Sequence, residues 1–169
     1  MKVARKTDDV EVLSKGQKFI LVSTFDPSRT QVFHRTKDGA RGERLWKMED
    51  YVGKRRAFLS PDGVFLVLVG DSYLGNYITT GAYLKMGENP LYIEVFQSGK
   101  SHKAIRHSDI FQKSVKHLVK THDLRAKGGG WVGMGQLLTN SDDIGQGIDW
   151  TKKTLRLELV TGTKKTVSF

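Results

Sequence analysis

Lys113, Lys116 and Lys120 recur at spacings of three and four residues, which places three ammonium groups on one side of a helix. Cations set out this way suit phosphate or sulfate groups. Each such contact releases counterions, so affinity falls steeply with salt. The three lysines lie in a basic stretch, Lys100 to Lys127, that holds eight Lys/Arg against two Asp and so carries more than half of the formal net charge of +10. They are the candidate anion contacts, toward a polyanion or a cell-envelope surface. A solvated face that keeps a basic protein soluble would use the same residues. Nucleic acid is an alternative partner. However, Phe111 is the single aromatic residue of the stretch, and no helix-turn-helix, zinc-finger or RNP motif accompanies it.

A second candidate surface is the Tyr-, Asn- and Gly-rich stretch Asp71 to Pro90, where Tyr73, Asn76 and Tyr77 are the residues expected to recognise a ligand or partner. Other constellations are weaker. His102/His107 and His117/His122 are each five apart, not the four of a helical metal pair, and read as surface or capping residues. The run Gly128-Gly129-Gly130-Trp131-Val132-Gly133-Met134-Gly135 lacks the Gly-Lys-Ser/Thr ending of a phosphate loop. Asp142-Asp143 lacks the spacing of a calcium loop. Ser60 sits in a turn that is not GxSxG, and no Ser/His/Asp set is recognisable. No cofactor and no metal site is expected.

These residues must be positioned by β-structure. Lys18 to Thr24, Thr30 to Thr36, Glu43 to Glu49, Arg55 to Ser60, Val64 to Gly70, Leu91 to Phe96, Ser101 to Arg106, Leu155 to Val160 and Lys165 to Phe169 read as strands. Asp-Gly, Ser-Pro-Asp-Gly and Ser-Gly turns separate many of them. Val64 to Val69 is apolar at every position, as in a strand covered on both faces. One segment departs from this pattern: Ser108 to His122 carries Phe111, Val115, Leu118 and Val119 at helical spacing and predicts a short amphipathic helix. The 169 residues suit a single all-β domain over 1–169, with 1–16 as a flexible N-terminal extension. Hairpins of this size close as a barrel or a sandwich, with a blade-like propeller fragment as the alternative. The absence of cysteine excludes disulfides, thiolate metal sites and a cysteine nucleophile.

The chain also echoes itself. FILV at Phe19 and FLVL at Phe65 are each followed by a hairpin with a glycine turn, and Leu155 to Phe169 reads as a third copy. Arg44 to Met48, Tyr51 to Gly53, Ala57 to Gly63 and Phe65 to Leu68 resemble the blade repeats of TolB-type and quinoprotein-type propellers. They are also similar to a looser group of small bacterial all-β proteins, with Asp71, Tyr73, Gly75, Tyr92, Ile93, Asp109, Ile110 and Trp131 as further matches. This resemblance implies β architecture and brings no known activity.

The leading expectation is a domain that binds rather than catalyses. The enzymatic alternative is a hydrolase site built from Asp62, Asp71 and histidines, as in some propeller-like proteins. Unpaired edge strands would favour a homodimer. No apolar run is long enough to span a membrane. The compartment stays open: cytoplasmic as written, periplasmic or exported if Met1 was added ahead of a mature chain.

Overall fold

The computed structural model describes residues 9–53, 55–70, 77–79, 89–124, 131–133 and 137–169. Antiparallel hairpins build it. Strands β1 (Val10–Leu13), β2 (Phe19–Thr24), β3 (Arg29–Arg35) and β4 (Arg41–Met48) form one four-stranded meander in chain order. Strands β5 (Arg56–Leu59) and β6 (Phe65–Val69) open a second sheet. A short strand, β7 (Tyr77–Thr79), intervenes before β8 (Leu91–Gln97) and β9 (Lys100–Arg106) complete it in the order β5-β6-β8-β9. Two helical pieces follow, α1 (His107–Ile110) and α2 (Val115–Thr121). Strand β10 (Trp131–Gly133) pairs back onto β7. After a 3-10 turn at Ser141–Gly147, strands β11 (Ile148–Asp149), β12 (Thr154–Glu158) and β13 (Lys164–Ser168) make a third sheet.

None of these sheets closes into a barrel. They stack face to face in chain order, a sandwich extended to a third layer, and the reason is written in β6. Side chains alternate across a strand. Leu66 and Leu68 accordingly join Leu21, Val32, Trp46 and Met48 of the first sheet, whereas Phe65, Val67 and Val69 join Leu155, Leu157 and Val167 of the third. All five β6 residues are buried, as a strand apolar at every position requires. The echoed segments at Phe19, Phe65 and Leu155 fall on β2, β6 and β12, the second strand of each sheet.

The layers are fastened by specific contacts. The Trp46 indole N–H donates to the Gly63 carbonyl at 2.7 Å, tying the first sheet to the β5–β6 turn. Gly99, at φ +78°, brings the β8–β9 turn so close to β4 that a Cβ there would lie 2.4 Å from the Lys47 carbonyl oxygen. The buried Arg55 guanidinium donates to the Val52 carbonyl at 3.0 Å and to the Glu94 carboxylate at 2.9 Å. Its charge is thereby matched inside the protein.

The helical segment is not continuous over 108–122. Phe111 is extended, at φ −114° and ψ 142°, and the helix restarts at Val115, where the Ser114 hydroxyl accepts from the His117 N–H at 3.2 Å. The buried His107 side chain accounts for the break. Its Nε2 lies 2.7 Å from the Lys113 carbonyl, which can only accept, so Nε2 carries the proton. Its Nδ1 then accepts from the Tyr92 hydroxyl at 2.8 Å, and the Phe111 ring stacks on the imidazole at 4.8 Å. Folding residues 111–114 around this ring buries Phe111 while the two helical pieces stay short.

Candidate anion-binding face

Lys116 and Lys120 lie four apart on α2, opposite the buried Val115 and Leu118, and both are exposed. Lys113 is also exposed, but in the corner just before the helix. The structure therefore delivers two of the three ammonium groups on one helical face and the third at its entrance. Strand β9 adds Lys100, Lys103 and Arg106, all exposed on the outer edge of the second sheet. Its last residue runs directly into α1. Among the described residues, none of these six cations forms an ion pair with a carboxylate. The acid that could neutralise them, Asp109, uses its carboxylate to accept the Arg106 backbone N–H at 2.7 Å.

A seventh cation reaches this edge from the end of the chain. The Lys165 ammonium of β13 donates to the Asp109 and Ile110 carbonyls, and Lys103 of β9 donates to the Ser168 carbonyl. These bonds draw the outer edges of the second and third sheets together around α1. The spacing pattern of residues 100–127 misses Lys165, because only the stacking of the sheets brings β13 alongside. Phe111, the aromatic residue of this stretch, is buried and turned into the core.

The remaining candidates are dispersed. Tyr73, Asn76 and Asp71 lie outside the described residues, as do Gly128 to Gly130. Tyr77 starts β7, where its backbone pairs opposite Gly133. Trp131 to Gly133 thus belong to a strand, β10, and not to a phosphate loop. Asp62 serves its turn: its carboxylate accepts from the Ser60 hydroxyl at 2.5 Å and from the Val64 N–H at 3.1 Å. The Ser60 hydroxyl in turn accepts from the Phe65 N–H at 2.8 Å.

His102 stands edge-on to Phe65 at 5.9 Å, and His122 closes α2. Burial holds the His107 imidazole below its ordinary pKa, against a smaller opposite pull from the bond to the Lys113 carbonyl. Asp143 accepts only a long bond from Gln146, at 3.5 Å. No group of three metal-ligating side chains occurs among the described residues, and no described helix is long and apolar enough to cross a membrane. The chain matches no family model, no characterised protein and no solved structure.

Proposed function

We propose that this protein is a non-catalytic binding domain that meets a polyanion or an anionic surface through the face formed by Lys100, Lys103, Arg106, Lys113, Lys116 and Lys120. The observation that carries this reading is the exposure of all six cations with no carboxylate paired to any of them among the described residues. Like charges gathered on one face repel one another, and a multivalent anion relieves that repulsion while releasing counterions. Sulfated glycans, duplex phosphates and acidic headgroups all present that chemistry. Reading of single-stranded bases is disfavoured, because stacking needs an exposed ring and Phe111 is buried. Tyr73, Asn76 and Tyr77 are a second contact in the same proposal. The hydrolase alternative draws little support, since Asp62 is committed to its turn.

Elution from heparin and from immobilised duplex DNA as a function of salt tests the reading. Retention beyond about 0.2 M salt, with a steep slope, is expected for the wild type. The Lys113→Glu/Lys116→Glu/Lys120→Glu variant should elute far earlier with an unchanged thermal midpoint, because these side chains are exposed. Equal retention of the variant would overturn the assignment.

A further inference from the structure

Away from the cationic face, the first strands of the three sheets converge. β1, β5 and β11 open onto a groove of about 480 Å³ walled by Leu13, Phe58, Ile148 and Trp150, with Lys15 and Asp143 as its charged groups. Strands β1 and β5 each pair with one neighbour only, β2 and β6. In an antiparallel pair, residues alternate between bonding to the partner and pointing away from it. The Ser14 N–H donates to the Phe19 carbonyl, and the Ser60 N–H to the Phe65 carbonyl. Counting back by twos from these pairs, Val12 and Phe58 also bond inward. Leu13, Ala57 and Leu59 therefore aim their backbone N–H and C=O groups away from their sheets, on the groove side.

The two kinds of sheet edge differ in chemistry. The outer edges carry charges that discourage strand addition: Arg41, Arg44 and Lys47 on β4, Lys100 and Lys103 on β9, Lys164 and Lys165 on β13. The groove edges offer Leu13, Ala57 and Leu59, with no charge to repel a strand, and Leu13 is 42% exposed. A free strand edge demands donors and acceptors in alternation, which a polypeptide backbone supplies. Lys15 and Asp143 call for one charge of each sign on the same ligand. Neither has an ion-pair partner among the described residues.

We propose that this groove binds an extended segment of a partner polypeptide, with alternating apolar side chains and one acidic and one basic residue, added as a strand to the free edges of Leu13, Ala57 and Leu59. The site is separate from the cationic face, so either assignment can fail without the other.

The test uses the full chain labelled with nitrogen-15. It is titrated with two blocked peptides, acetyl-Lys-Val-Thr-Val-Glu-amide and its twin with Lys and Glu exchanged. Saturable shifts of the Leu13, Ala57, Leu59 and Gln146 amides and of the Trp150 indole are expected by about 1 mM peptide. N-methylation of alternate peptide nitrogens should weaken binding at least about ten-fold, since it removes the donors that strand addition uses. Leu13→Lys, at an exposed position that tolerates the change, should do the same. Three results would each overturn the proposal: no shifts with either peptide, equal binding of the N-methylated forms, or groove shifts that follow protein concentration without peptide and so indicate a second copy of this chain. Heparin retention should be unaltered by Leu13→Lys.

Discussion

His107 shows how much one side chain sets. Both ring nitrogens and one ring face are engaged, by Lys113, Tyr92 and Phe111, and the bond to Lys113 positions the entrance to α2. Because burial depresses its pKa, the unfolded chain takes up the proton first as pH falls. The stability contributed by the neutral imidazole is complete above the unfolded value of about 6.5 and is lost as pH drops from there toward the lower folded value. The urea midpoint of the wild type should therefore decline between about pH 7 and pH 5. His107→Gln should cost about 1–3 kcal/mol at pH 8, where a buried carbonyl or hydroxyl loses its partner. Its decline with acid should also be shallower than that of the wild type. Parallel pH curves for the two proteins would refute this role. The sequence reveals none of it: five-residue spacings mark His102, His107, His117 and His122 alike, and only burial singles out His107.

At the scale of elements, the hairpins were legible and their partners less so. Ser60-Pro61-Asp62-Gly63 forms the turn its residue types require, with Gly63 at φ +73° and Ser60 and Asp62 bonded across it. Ser98 and Gly99 both take positive φ between β8 and β9, the turn suited to a two-residue hairpin loop. The interruption of the helix at Phe111 was not legible, because Phe111, Val115 and Leu118 are buried whether the chain between them is helical or extended. The β7–β10 pairing was hidden too, since it joins segments remote in the chain. The glycines separate two costs. Gly99 and Gly162 have nearly equal φ, +78° and +82°, but a Cβ meets the Lys47 carbonyl at Gly99 and nothing within 4 Å at Gly162. Gly162→Ala should cost about 1–2 kcal/mol, the backbone share alone. Gly99→Ala should cost about 1–3 kcal/mol more for the overpacked contact. Equal losses in denaturant titrations would show that the β8–β9 turn does not brace the first sheet.

Across the whole molecule, the repeated second strands were the sequence's best guide, since the segments at Phe19, Phe65 and Leu155 occupy equivalent places in successive sheets. How the sheets stack, and so the convergence of β1, β5 and β11 and the arrival of Lys165 at the cationic edge, depended on contacts between layers that no local pattern encodes. Because β6 belongs to both cores, neither should melt alone. Leu66→Ala in one core and Leu157→Ala in the other, both fully buried sites, should each cost about 2–5 kcal/mol. Each should also shift a single transition in which hydrogen exchange reports Leu21 and Val167 opening together. Two separable transitions would argue for independent halves. The connectivity also sets a sequence of events. Most strand pairs here join near neighbours along the chain and close short loops, whereas Tyr77–Thr79 must wait for Trp131–Gly133 to arrive from far downstream. Loop-closure entropy then makes this small pair the slowest contact to gain, so refolding should register the meanders first and the β7–β10 ladder last.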